Sequence, residues 1–154
     1  MTPTLSLLPI ERDGRPQGYS GALPEVAADS CAAMAQLYAS AGFVTPWIGY
    51  LARAGDTLIG TCAFKAPPQA GRVEIAYFTF PEYEGRGYAS AMAAELIALA
   101  QAHDPAILVT AQTLPERNAS HRILEKHGFQ HVDTLTHPED GLVWEWHLPA
   151  ASRA

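Results

Sequence analysis

Residues 73–89 read Val73-Glu74-Ile75-Ala76-Tyr77-Phe78-Thr79-Phe80-Pro81-Glu82-Tyr83-Glu84-Gly85-Arg86-Gly87-Tyr88-Ala89. Val73 to Phe80 carries β-branched and aromatic residues with apolar side chains on both faces, the pattern of a central strand in a covered sheet. Pro81 interrupts it, two glycines follow, and Tyr88 opens a helix. Ala89, Met92, Ala93, Leu96 and Ala100 recur at helical spacing until His103-Asp104-Pro105 stops them near Ala102. The order is strand, glycine turn, helix. Glycine lets backbone N–H groups converge without a Cβ in the way. The helix start adds unpaired N–H groups and the positive end of the dipole, and Arg86 adds a full charge. Such a turn suits an anion, most often phosphate. On the turn alone, a plain strand-to-helix connection that uses glycine for steric room is an equal alternative. A P-loop would need Gly-Lys-Ser/Thr, which is absent. A dinucleotide fold would need an acid at the end of the following strand, whereas Asp104 precedes it.

Outward from this segment the chain alternates elements and breaks. Upstream, Leu5 to Ile10 reads as a strand and Gly14 to Gly21 as a loop. A helix starts at Pro24 and ends at Gly42. Trp47 to Arg53 and Thr57 to Lys65 form a hairpin around Ala54-Gly55-Asp56, and Pro67-Pro68 to Gly71 breaks the chain. Downstream, Ala106 to Ala111 is a strand, and Asn118 to His127 a helix ended by Gly128. Phe129 to Leu135 and Leu142 to Leu148 are strands joined by His137-Pro138-Glu139-Asp140-Gly141. The expected class is a mixed α/β sheet with helices packed on its faces, in one domain over residues 1–154. Met1 to Thr4 and Ala150 to Ala154 read as loose tails.

Composition narrows the function. Of 154 residues, 48% are apolar and 17% charged, an ordinary globular balance. No apolar run reaches the roughly 18 residues of a membrane span, and Met1 to Glu11 lacks the pattern of a secretory signal. A net charge of −6 argues against a coat for nucleic acid. Cys31 and Cys62 have no metal-ligand or disulfide spacing and read as buried, reduced thiols of a cytoplasmic protein. His121, His127 and His131 read as scattered surface histidines, since Gly128 separates the last two. Trp47, Tyr50, Tyr77 and Tyr83 suit either an acceptor pocket or, more commonly, core. Trp144 and Trp146 alternate with Glu145 as in a half-buried strand.

Read whole, Val73 to Ala89 resembles the acetyl-CoA-binding motif of the GNAT acetyltransferase superfamily, a strand followed by [Gln/Arg]-x-x-Gly-x-[Gly/Ala] and a helix. Glu84-Gly85-Arg86-Gly87-Tyr88-Ala89 fills that motif, with Glu84 in place of the usual Gln or Arg. Asn118-Ala119-Ser120-His121-Arg122-Ile123-Leu124-Glu125-Lys126-His127-Gly128-Phe129 is similar to the family's late helix. It looks most like the branch that includes the ribosomal-protein N-terminal alanine acetyltransferases. Two departures stand out. Leu124 occupies the place of a Tyr that serves many members as general acid, and Asn118 lies one residue later than the branch's Asn, where Arg117 stands.

The resemblance implies a GNAT-like α/β (mixed α+β) domain: a central, mixed, mostly antiparallel sheet of six to seven strands with helices on both faces. It implies transfer of an acetyl group from acetyl-CoA to a primary amine, a peptide N-terminus or a small molecule, by direct attack in a ternary complex. Acetyl-CoA and CoA are then co-substrate and product, with no metal, nucleic acid or membrane involved, and a homodimer is common in the family. Glu84, Gly85, Arg86, Gly87, Tyr88 and Ala89 would hold the pyrophosphate. Phe78, Thr79 and Phe80, at the end of a strand that splays from its neighbour, would pair with the pantetheine arm. Asn118 would bond a pantetheine amide, or cap its own helix. Ser120 would donate to the leaving thiolate, or satisfy helix backbone. Glu74, on the face of Ala76, Phe78 and Phe80, would be the general base, its pKa raised by partial burial; an exposed carboxylate at a frayed strand start is its alternative. Leu124 keeps open a catalytically inactive CoA-binding regulatory module, and the glycine turn alone a module for another phosphorylated ligand.

Overall fold

The computed structural model describes residues 3–139 and 141–150. The sequence expectations for Met1, Thr2, Asp140 and residues 151–154 lie outside the described residues. The elements run β1 (Ser6–Pro9), α1 (Glu25–Ala41), β2 (Gly49–Ala54), β3 (Thr57–Phe64), β4 (Arg72–Thr79), a 3-10 turn (Pro81–Tyr83), α2 (Tyr88–His103), β5 (Leu108–Thr113), α3 (Ala119–Lys126), β6 (Gln130–His137) and β7 (Gly141–Leu148). The seven strands form one sheet in the order β1-β2-β3-β4-β5-β7-β6, with β4 at its centre. Every neighbouring pair is antiparallel except β4 and β5. Their parallel pairing needs the crossover that α2 supplies.

Helices cover both faces. Met34 of α1 fills the space over Gly49, and Met92 of α2 the space over Gly60. Gly49 pairs with Ala63, whose side chain shares its face, whereas Gly60 lies on the opposite face. Ala63 pairs with Ala76, so Glu74, Ala76 and Phe78 belong to the α1 face. Tyr77, opposite Cys62, belongs to the α2 face. Tyr38 ties α1 down: its hydroxyl donates to the Ile10 carbonyl at 2.7 Å and accepts from the Gly49 N–H at 2.9 Å. Ile10, Leu51, Ile59, Met92, Leu96, Val109 and Leu124 are fully buried in one continuous core. Cys31 and Cys62 are free and buried, and burial raises both thiol pKa values.

Two expectations need correction. His121 is buried, edge-on to Trp146 with ring centroids 4.8 Å apart, and His127 is half-buried, so only His131 is the surface histidine expected. The β7 strand is covered on both faces: Trp146 is buried on one and Glu145 on the other, where Gln112 donates to its Oε1 at 3.1 Å. Pairing with β5 and β6 on either side places β7 inside the sheet, which alternation along one strand does not reveal.

Candidate active site

The site is a place where the sheet comes apart. Parallel pairing of β4 with β5 runs only through Arg72↔Leu108, Val73↔Val109 and Glu74↔Thr110, although both strands continue. Backbone polar groups alternate sides along a strand. The Glu74 carbonyl accepts from Lys65 and the Phe80 N–H donates to Ile59, so both point towards β3. Thr110, opposite Glu74, takes the Ile75 N–H in the last bond of the ladder, so the C=O of Ile75 and the N–H and C=O groups of Tyr77 and Thr79 point into the gap left by β5. An extended ligand can pair with them as a strand would.

Above the gap on the α2 face lies a cleft of about 700 Å³. It is walled by β4 (Tyr77, Phe78, Thr79), the glycine turn (Tyr83, Glu84, Gly85, Gly87), the first turn of α2 (Tyr88, Ala89, Ser90) and α3 (Ala119, Ser120, Ile123). Gly85 and Gly87 have φ of 78° and 84°, values that favour glycine, and Gly87 is the N-cap of α2. No side chain caps this helix, so its first N–H groups lack an intrahelical partner at the cleft wall. The hydroxyl of Thr79 is likewise buried without a hydrogen-bond partner among the described residues. Free N–H groups at a helix start and an orphaned hydroxyl along the strand fit an anion joined to an amide-bearing arm. These features match what CoA presents.

The cleft does not end at the sheet. Tyr77 and Ser120 also line a gap of about 100 Å³ between the splayed strands, together with Ala76 and Gln112. Lys65 and Gln112 connect that gap to a polar cavity of about 320 Å³ on the α1 face, where Glu74, Arg72 and Glu145 stand. The three spaces share walls and cross the sheet from one face to the other.

The sequence-derived site residues divide accordingly. Phe78, Thr79, Glu84, Gly85, Gly87, Tyr88, Ala89 and Ser120 all line the cleft. Phe80 does not: its ring is buried, its N–H is bound to Ile59 and its carbonyl accepts from Tyr83. Arg86 is exposed, with its guanidinium 5.8 Å from the Tyr83 ring centroid. Asn118 caps α3, its Oδ1 accepting the His121 N–H at 3.2 Å. Glu74 sits where β4 and β5 part, on the α1 face, with Lys65 Nζ 2.7 Å from its Oε2. Leu124 is fully buried and turned away from the cleft.

Tyr77 is the residue whose role the sequence left undecided. Burial pushes its phenol up to about 12, partly opposed by the Ser120 side chain that faces it. The phenol therefore stays protonated as a hydrogen-bond donor at the junction of cleft and gap. Ser90 lines the cleft in the first turn of α2, and His127 Nε2 lies 2.9 Å from its Oγ. Its signal in the sequence was only its place three residues after Gly87. Among the described residues no cluster of His, Cys, Asp or Glu is arranged to hold a metal, and no helix is long and apolar enough to cross a membrane.

Comparison with known proteins agrees with this geometry. No curated protein matches the chain in sequence. Among solved structures, a spermidine N-acetyltransferase chimera from Vibrio cholerae and hSSAT is similar with a TM-score of 0.68 at 15% identity, over 95% of each chain. RimL, the ribosomal L7/L12 alpha-N-protein acetyltransferase, is similar with a TM-score of 0.67 at 13% identity, over 95% of this chain and 90% of its own. YncA of Salmonella typhimurium, solved with its cofactor acetyl-CoA, is similar with a TM-score of 0.65 at 14% identity, over 98% of this chain and 96% of its own. At such identities the likeness is one of fold. The acetyltransferase (GNAT) domain description matches residues 15–130, most of the chain, and the chain belongs to that family.

Proposed function

We propose that this chain, acting as one domain, transfers an acetyl group from acetyl-CoA to a primary amine by direct attack in a ternary complex. The observation that carries the reading is the open β4–β5 seam, which joins a CoA-sized cleft on one face to a polar cavity on the other. The donor substrate enters from the α2 face. The N–H groups at Gly85, Gly87 and the start of α2 take its pyrophosphate, and Thr79 with the unpaired backbone of β4 takes its arm. The acceptor enters from the α1 face.

Glu74 fits the base because of that placement. It stands on the acceptor side, at the point where the strands part. Deprotonating an α-amine of pKa about 8 at pH 7 costs about 1 kcal/mol, and a lysine-like amine near 10.4 about 4–5 kcal/mol, so a base matters more for the second. Ser120 and Tyr77 fit the opposite task. Both are hydroxyl donors at the junction, where negative charge develops as the thioester opens. A phenol near 12 is a weaker acid than a thiol, so Tyr77 stabilises the thiolate by hydrogen bond rather than by surrendering its proton.

The burial of Leu124 favours a second reading, in which the domain binds CoA and performs no transfer. A thermal melt with acetyl-CoA, CoA and ATP at matched concentration, followed by an amine screen for thiol release, tests both. Acetyl transfer requires selective stabilisation by acetyl-CoA and CoA together with release of free CoA by at least one amine. Stabilisation with no release across the screen supports the binding module, and no stabilisation removes both readings.

A further inference from the structure

The acceptor-side cavity has a chemical preference written into its charges. Three of the four carboxylate oxygens have a partner. Glu145 is buried, with Gln112 Nε2 at 3.1 Å from Oε1 and His147 Nε2 at 3.1 Å from Oε2. Glu74 Oε2 holds Lys65 Nζ at 2.7 Å. The two cations are under-used. An ammonium has three donors and a guanidinium five in a planar fork. Lys65 reaches one carboxylate oxygen, and Arg72 approaches Glu145 only at 3.8 Å, beyond hydrogen-bond length. Their side chains are 44% and 50% exposed, so the spare donors are accessible. Lys65 also lines the gap where transfer would take place. A cavity with engaged carboxylates and cations in reserve suits an anionic group on the acceptor, not a second ammonium.

We propose that the acceptor is an amino-acid-like zwitterion: an amine with a carboxylate close to it, the carboxylate held by Lys65 and Arg72 and the nitrogen directed into the gap beside Ala76 and Gln112. The proposal rests on the acetyl-transfer reading and names its substrate class. It also bears on the basicity of Glu74. In the structure its Oε2 is taken by Lys65. An acceptor carboxylate that draws Lys65 to itself leaves Glu74 to receive the ammonium proton. That single proton passes from nitrogen to carboxylate oxygen and leaves the amine lone pair free. A polyamine does the reverse, setting a second positive charge against Lys65 and Arg72.

Matched pairs test this, with acetyl-CoA as donor and thiol release as readout: L-arginine with agmatine, L-lysine with cadaverine, L-phenylalanine with phenethylamine, and spermidine alone. The expected result is a kcat/KM for each amino acid at least tenfold above that of its decarboxylated partner. Lys65→Met and, at a more exposed position, Arg72→Gln should each erase most of that ratio by raising KM for the amino acid, while KM for agmatine or cadaverine, relieved of a like charge, should not rise. A melt with CoA present gives a readout without turnover, in which an amino acid should stabilise and its partner should not. Preference for spermidine or the decarboxylated amines overturns the proposal. So does equal loss on both members of a pair in the variants, or no stabilisation by any amino acid with CoA bound. Turnover of carboxylate-free amines alone defeats this proposal and leaves acetyl transfer standing, whereas failure of acetyl-CoA to bind removes the transfer reading beneath it.

Discussion

His127, at the C-terminal cap of α3, holds Ser90, the third residue of α2: its Nε2 lies 2.9 Å from the Ser90 Oγ and 3.1 Å from the Ser90 carbonyl oxygen. This contact joins the two helices that wall the cleft. Burial lowers the His127 pKa, the Ser90 carbonyl works against that, and Lys126 adds to it. The folded state thus favours neutral imidazole more than the unfolded chain does. Stability from this group is complete above the unfolded value of about 6.5 and is lost as pH falls through the lower folded value. Melting temperature measured from pH 8 to 5 should fall below about pH 6.5, and His127→Gln should flatten that limb. An unchanged limb in the variant would place the proton uptake elsewhere.

Gly87 caps α2 at φ 84°. A side chain there is strained by about 1–2 kcal/mol. Gly87→Ala should lower the melting temperature by roughly 2–8 °C for a domain of this size. Because relief of the strain rotates the N–H groups that face the cleft, affinity for CoA should weaken as well, by about tenfold in calorimetric titration. An affinity equal to that of the unaltered protein would show that the turn does not touch the pyrophosphate.

Tyr77→Phe removes one donor at the junction and leaves the ring that packs against the core. We expect kcat to fall by about 10–100-fold with little change in KM for acetyl-CoA, as for loss of a group used in the transition state. Ser120→Ala should act in the same direction. Since the phenol titrates only near 12, the rate of the unaltered protein should show no downturn from Tyr77 between pH 8 and 10. Steady-state kinetics across that range decide it.

Restoring tyrosine at the family's usual acid position should not restore an acid. Leu124 is fully buried, while Ser120 and Ile123 of the same helix face the cleft. Leu124→Tyr overfills the core at a cost of about 1–3 kcal/mol. The measurement is melting temperature beside kcat, and the expected outcome is a lower melting temperature with no gain in rate.

The glycine turn, the helices and the succession of elements along the chain were readable because proline, glycine and short polar runs punctuate the chain. The start of β5 moved for a local reason. The β5 strand begins at Leu108 rather than Ala106, because Asp104 binds the Ala106 N–H through its side chain at 3.1 Å and the Ile107 N–H through its carbonyl at 3.1 Å. That turn consumes the two residues before the strand. The opening between β4 and β5 was not readable in the residues themselves, since pairing stops between strands some 36 positions apart. The same holds for Tyr77 beside Ser120 and for Glu145 beside Gln112. His121 and Leu124, three apart on α3 and both buried, did form a helical stripe. Reading that stripe would have placed the histidine inside.

The short β4–β5 seam also divides the sheet mechanically. On one side β1 to β4 form a meander of antiparallel neighbours, and on the other β5, β7 and β6 form a second antiparallel set. Three residue pairs join them in the ladder. Within the halves, the β2–β3, β3–β4 and β6–β7 hairpins form from contacts closer in sequence than the parallel seam, which must wait for α2 to return the chain. Amide exchange should record this division. The N–H groups of Tyr77 and Thr79 should exchange quickly, although they lie mid-sheet, and their slowing should report a bound strand-like ligand residue by residue.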